Sequence, residues 1–537
     1  VKSSARCCCF YDPKGPLPDQ SASQQVFPEN GNESCGDNMS GHLFIINGDL
    51  NQVACDAVLI PTDGTLHITD SWRVLMHGKR LPKSFGTKPA VHIRAESGQP
   101  QIWLGNIGKA GNVSDFEVFK PAVREFVRQA VEQLETVSED ARIYPWPKRR
   151  LAVNMVGSGD GGGSDRKGEL VEGLVKMLDG LVVEYDVDIV LVAFGEKPYA
   201  AAQRARRRLV GDDTRITYYW NFDELSSNDL VAQAQRLAKA AIDSQLVLFI
   251  GAGVSAGAGL PTWSKLLNDL AVTAGMGPDV IAALAKKDFR DQATVIERRL
   301  QQAKCGLREA VAAQLNKPNR YALQHGLLAS LPSKEAVTTN FDNMFESAAR
   351  ICGRGLAVLP DSPLNADGRW LLKLHGSVDG PEKIVLTRSD FLDMPRQYGA
   401  LMGLVQGLLL MRHMMFVGYS LQDEDFHEVI HEVRAARGGL AVDGGRGTVL
   451  TLFHDELEQE LWVEDLEVVP MLAVAFKDDL QSVAARQLEI FLDLVGYLST
   501  TSAPFFLDLT YQSLSHNEAK LRKALGALIK QARFAVR

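Results

Sequence analysis

The chain has 537 residues, of which 45% are hydrophobic and 23% charged, and its formal net charge is −8. That length exceeds what one hydrophobic core serves, so two or three domains are expected, and the composition is that of a soluble globular protein. The acidic balance offers no basic excess for counterion release, which excludes a general nucleic-acid binder.

Residues 1–40 are rich in Ser, Pro, Asn, Gly and Asp without periodicity and read as a disordered tail. Order is expected from HLFIINGDLNQVACDAVLIPTDG (42–64), two short apolar strands separated by a polar turn. Further on, RRLAVNMV (149–156) runs into the loop GSGDGGGSDRKG (157–168), then a helical pattern over 169–181 and the strand DVDIVLVAFG (186–195). Strand, Gly-rich loop, helix and strand make a parallel βαβ unit. It falls within an α/β domain assigned to 41–225, and the basic run RARRRL (204–209) there reads as a solvated helix face. NFDELSSND (221–229) reads as a linker, and a second domain is assigned to 226–481. Its strands are expected at 246–250, 336–339, 370–374, 414–418 and 447–453 with helices between, a second doubly wound fold. Residues 482–537 read as a helical C-terminal extension whose basic amphipathic end is a solvated helix side, not a membrane anchor. The longest apolar stretch, 400–411, is too short to span a bilayer, and no secretory signal opens the chain, so a cytoplasmic protein is expected. Cysteines stand at 7, 8, 9, 35, 55, 305 and 352; no pair has Cys-x-x-Cys spacing, and the four scattered ones read as small buried hydrophobes.

The chemistry concentrates at strand ends of the second domain. In LVLFIGAGVSAGAGLPTW (246–263) an apolar strand drops into small residues, and such a turn lets backbone approach a diphosphate at a helix N-terminus. AVTTNFD places Asn340 and Asp342 at a second strand end, LLKLHGS places His375 and Gly376 at a third, and MMFVGYSLQDED places Gly418 and Ser420 at a fourth. In a doubly wound sheet such residues converge on one crevice.

GAGVSAGAGLP, TTNFD, LHGS and GYSLQDED, in this order and spacing, resemble the sirtuin-like NAD-consuming fold, and most of all its bacterial antiphage branch that hydrolyses NAD. The resemblance covers roughly 230–480. It implies NAD as substrate, with Asn340 and His375 as the catalytic pair. Ala252, Gly253 and Ser255 would lie on the pyrophosphate side of the cofactor. Gly251, Pro261, Thr262 and Asp342 would also belong to its binding site, with Asp342 orienting its loop, and Gly418 and Ser420 would touch the adenosine half. The zinc module of the deacylase members is missing: the corresponding region, roughly 269–333, has helical pattern and a single cysteine, Cys305, so no metal is expected. The deacylase phrase Pro-Asp-Phe-Arg is replaced by PTWS from Pro261, and both departures favour water as acceptor. Asn340 could hold a water or the ribose hydroxyls, and His375 could take a proton, for an oxocarbenium-like cleavage of the nicotinamide–ribose bond.

IINGDLNQVACDAVLIPTDG resembles the opening of a macrodomain, and NMVGSGDGGG that family's second ligand loop. The resemblance implies that Asp49 accepts from an adenine amino group and that Gly157, Ser158, Gly159 and Gly161 line the diphosphate of an ADP-ribose-like nucleotide. The family's asparagine pair is replaced by Pro61, Thr62 and Asp63, which favours binding over hydrolysis. An NAD hydrolase of an immune or stress response, regulated by this nucleotide-binding domain and by homo-oligomerisation, is the function expected. Two alternatives stand beside it: a non-catalytic NAD or ADP-ribose sensor, and a metalloprotease using the H-E-x-x-H of His427 to His431.

Overall fold

The structure is a computed structural model that describes residues 40–76, 78–108, 116–138, 142–156, 165–222, 225–226, 229–316, 320–351, 355–364, 368–421, 424–436, 447–512 and 514–535. The expected N-terminal tail and the loop carrying Gly157, Ser158, Gly159 and Gly161 therefore lie outside the described residues.

Thirteen strands form two sheets among the described residues: β1 (Leu43–Asn47), β2 (Ala57–Thr62), β3 (Ala90–Ile93), β4 (Gln101–Asn106), β5 (Arg150–Asn154), β6 (Asp188–Ala193), β7 (Leu246–Ile250), β8 (Glu335–Thr338), β9 (Leu356–Leu359), β10 (Arg369–Lys373), β11 (His413–Val417), β12 (Gly447–Phe453) and β13 (Leu466–Leu472). The first sheet runs β1-β6-β5-β2-β4-β3 and is parallel except where β3 pairs antiparallel with β4. The second runs β13-β12-β11-β7-β8-β10-β9 and is parallel throughout. Both halves are α/β, as the alternating strand and helix patterns require. β6 and β7 are buried along their whole length, because helices cover both faces of a parallel sheet and leave no face for polar residues. In the second sheet the chain starts at β7, adds β8 on one side and returns as β11 on the other. The loops after β7 and β11 therefore part at the sheet's topological switch point, where a doubly wound fold keeps its crevice.

The two sheets share helix Gln481–Ser499, which packs against helices Leu230–Ile242 and Leu323–Ser330 and against β12, β13 and β1. Its apolar residues, among them Leu488, Phe491, Leu492, Leu494 and Val495, are buried, and so are its charges. Arg486 pairs with Asp188 at 2.6 Å, Glu489 with Arg150 at 2.5 Å, and Asp493 with Arg206 at 2.7 Å. His42 Nε2 also lies 3.0 Å from Asp493, and Trp220 donates its indole N–H to the same carboxylate at 3.3 Å. The run 204–209 is accordingly no solvated face: Arg206 is fully buried on Asp493, and Arg207 donates to the carbonyls of Tyr497 and Thr500. The acceptors come from almost 300 residues downstream, which local pattern does not reveal. Among the cysteines, Cys55 is buried, with its thiol pushed up to about 12 by burial, whereas Cys305 is exposed on a connecting loop and is not the buried hydrophobe expected.

Candidate active site

Close packing of two loops forms the floor of the crevice. The Gly251 amide donates to Val417 O and the Gly253 amide to Gly418 O, both at 2.9 Å. A Cβ on Gly251 would meet Gly418 O at 2.3 Å, and one on Gly418, whose φ is +67°, would meet Val254 N at 2.6 Å. Only glycine fits at this crossing. Val254 and Ser255 donate back into the turn, to Gly251 O and Ala252 O. The small residues thus first serve the passage of one loop against another, and the amides expected for a diphosphate are largely committed within the fold.

The side chains behind this floor form one buried cluster. Ser255 Oγ donates to Asp342 Oδ2 at 2.9 Å, lies 3.4 Å from the donating Asn340 Nδ2, and is 3.3 Å from His325 Nε2. Asn340 Nδ2 also donates to Gly251 O at 3.1 Å, which fixes the amide's orientation. Its Oδ1 is buried without a hydrogen-bond partner among the described residues. Asp342 Oδ1 accepts from the Met344 amide at 3.0 Å and so holds the Asn340 loop against the next helix. From below, Lys373 Nζ donates to Phe341 O, Asp342 O and Glu346 Oε1, at 3.2, 2.6 and 2.7 Å. Burial pushes the Glu346 carboxyl up, with Lys373 opposing it.

Two cavities meet over the glycine crossing and share Gly253, Gly418, Tyr419 and Ser420. The larger, about 960 Å³, runs along β12 and is lined also by Gln324, Leu450, Thr451, Phe453 and Asp455. The smaller, about 600 Å³, is lined by Ala252, Thr262, Trp263, Asp288, Phe289, Arg290, Thr339, His375 and Phe391. Both fall in the size range of ligand sites. His375 follows β10 by two residues and is buried; its carbonyl accepts from Val385 N at 3.0 Å and its ring meets Phe391 edge-on at 5.3 Å. The Arg290 guanidinium sits over the Phe289 and Phe391 rings and is held by Asp288 at 3.0 and 3.1 Å, an attraction that lowers the Asp288 pKa.

The structure brings together Gly251, Ala252, Gly253, Ser255, Asn340, Asp342, His375, Gly418 and Ser420 around the crevice. Thr262 caps helix Trp263–Thr273, its hydroxyl accepting from Lys265 N at 3.4 Å, and lines the smaller cavity; half-buried Pro261 leads into it. Sequence reasoning missed His325, Lys373, Arg290 and the aromatic wall. Lys373 was the one with a signal, since a charged residue inside an otherwise apolar buried strand requires a buried partner. Asp49 stands apart, after β1: its carboxylate accepts from the Asn51 amide and side chain, both at 2.9 Å. His427 and His431 are exposed, with the His427 ring against Trp462 at 4.8 Å. Among the described residues no group of three or more His, Cys, Asp or Glu could hold a metal ion. No helix among them is long and apolar enough to cross a membrane.

Fold and site define a doubly wound α/β protein with a crevice at a sheet switch point. Residues 334–471, which carry β8 to β13, match the family described as the SIR2-like domain. Similar proteins include the NAD(+) hydrolase ThsA of Enterococcus faecium, 25% identical over 37% of this chain and 42% of that protein. The Defense-associated sirtuin 2 of Bacillus subtilis is 25% identical over 38% of this chain and 21% of its own length. The NAD(+) hydrolase ThsA of Bacillus cereus is 24% identical over 37% and 42%. The match thus spans about two fifths of the hydrolase relatives' length. Among solved structures, an Oceanobacillus iheyensis macrodomain with ADP is similar at 13% identity and a TM-score of 0.24, covering 33% of this chain and 95% of that one.

Proposed function

We propose that this chain is an NAD hydrolase that cleaves the nicotinamide–ribose bond to give nicotinamide and ADP-ribose. The observation that supports this most directly is the pairing of an amide-fixed Asn340, whose Oδ1 is buried and unpartnered among the described residues, with His375 in the adjoining cavity. Two connected chambers suit the two halves of a dinucleotide. In this reading the C1′–nitrogen bond breaks and nicotinamide leaves as a neutral molecule, while positive charge builds on the ribose. Asn340 Oδ1 accepts from a ribose hydroxyl or from the attacking water. The water oxygen bonds to C1′, and its proton passes to His375 and then to solvent. The aromatic wall of Trp263, Phe289 and Phe391 keeps bulk water from the reacting face.

The wider reading is a cytoplasmic effector of antiphage defence in which the N-terminal α/β half binds an ADP-ribose-like nucleotide and the active form is a homo-oligomer. Exposed Leu521, Leu528 and Ile529, spaced to share one face of helix His516–Ala535, support the last point. Nicotinamide release from NAD by the purified chain, alone and with ADP-ribose added, tests the activity. Asn340→Ala and His375→Ala should each lower it at least ~100-fold with the fold left intact. Intact NAD under every condition, including in the oligomeric fractions of a sizing column, would reject the reading.

A further inference from the structure

We propose that His325 is a positioning residue for Asn340, and that the N-terminal sheet sets its place through the segment Arg320–Ser330. The inference rests on the NAD-hydrolase reading for its catalytic meaning but not for its geometry.

His325 is fully buried on helix Leu323–Ser330, and its Nε2 reaches Ser255 Oγ. The Ser255 hydroxyl proton is already given to Asp342, so the bond from His325 is an Nε2–H donation, which requires a proton on that nitrogen. Burial holds the ring in its neutral form, with a pKa lowered to about 4 despite the nearby Asp342 carboxylate. Ser255 Oγ then has all its sites in use: it donates to Asp342 and accepts from His325 and from Asn340 Nδ2. Removing the histidine frees the serine to rotate, and with it one of the two contacts that keep the Asn340 amide from turning over. A turned amide would present Nδ2, a donor, where the chemistry needs an acceptor.

The same short helix is tied to β1 and its loop at both ends. Before it, Arg320 donates to Asn51 O at 2.8 Å, and Tyr321 exchanges backbone hydrogen bonds with Gln52 and Ala54 at 2.8 and 2.9 Å. The Tyr321 hydroxyl accepts from the Asp49 amide at 3.1 Å. At its other end, Ser330 Oγ accepts from the Asn47 amide at 2.8 Å. Between these anchors Gln324 lines the larger cavity and His325 enters the cluster. A shift of the β1 loop is therefore passed to both without crossing solvent.

The test compares wild type with His325→Leu, His325→Gln and Tyr321→Phe. Glutamine keeps an N–H where Nε2 stands, and Tyr321 lies outside both cavities. In steady-state NAD hydrolysis, His325→Leu should lower kcat at least tenfold with KM within twofold, and His325→Gln should restore most of it. Tyr321→Phe should lower kcat about fivefold, as the loss of one half-buried hydrogen bond would. Crystal structures of the four proteins supply the readout that does not depend on turnover: Ser255 and Asn340 should be displaced in His325→Leu and in place in His325→Gln. If wild type releases no nicotinamide, the hydrolase reading fails and these side-chain positions alone decide the positioning. Ser255 and Asn340 unmoved in His325→Leu would overturn the role of His325. Wild-type turnover and side-chain positions in Tyr321→Phe would overturn the link to the N-terminal sheet.

Discussion

His325 and Lys373 are both buried groups whose usual charge would be expensive in the core, and they solve the problem differently. His325 stays neutral. Its folded pKa of about 4 lies below the ordinary 6.5, so the unfolded chain takes up a proton in that interval before the folded one does. Its contribution to stability is complete above about pH 6.5 and is lost as pH falls toward 4. His413, lowered to about 4 by burial and by Arg236, adds a second loss over the same range. Denaturant titrations at pH 7.5 and pH 5 should therefore show a smaller fall in stability for His325→Gln than for wild type, with the His413 share remaining. Lys373 is instead paired with Glu346 at 2.7 Å. Lys373→Met would leave that carboxylate buried and alone, and should cost about 3–5 kcal/mol in urea unfolding. Lys373→Met combined with Glu346→Leu should recover much of this, because no orphaned charge is left.

Helix Gln481–Ser499 shows the same physics along a whole element. Its Arg486, Glu489 and Asp493 look like the polar face of a surface helix, yet each meets an opposite charge contributed by the first half of the chain. Asp493 is held well ionised by Arg206 and His42 in spite of its burial. Asp493→Leu should destabilise by about 3–5 kcal/mol, since Arg206, His42 and the Trp220 N–H all lose their acceptor. Pairing it with Arg206→Met should be less costly than the two single losses added together. A double-mutant cycle followed by chemical denaturation measures this coupling directly.

For the molecule as a whole, the shared helix makes the two sheets one cooperative body. Calorimetry of the chain should give a single unfolding transition, because neither sheet keeps its cover once helix Gln481–Ser499 leaves. A fragment spanning 226–481 retains all seven strands of the second sheet yet loses that helix, and with it the cover over helices Leu230–Ile242 and Leu323–Ser330. It should bind a hydrophobic dye and show no cooperative transition, whereas extension to residue 512 should improve both properties. A fragment that unfolds as sharply as the full chain would show the two halves to be independent.

The strand-end residues of the second sheet were legible because they are local. An apolar run that stops at Gly251, Asn340, His375 or Gly418 announces both a parallel strand and the residue standing at its C-terminal end, and those strands lie within a residue of their expected places. The strands β3, β4, β9 and β13 were not, being short or mixed in polarity, and supported by pairing across the sheet rather than by their own pattern. What no local pattern carries is the identity of a distant partner. His325 reads as an ordinary helix residue until Ser255, 70 positions earlier, is found beside it, and Arg206 reads as solvated until Asp493 arrives from 287 positions later. Local pattern was enough to show which residues stand at the ends of the strands, since backbone periodicity depends on neighbours. Which buried polar groups satisfy one another emerged with the folded arrangement, because a hydrogen bond or ion pair in the core depends on proximity in space and not along the chain.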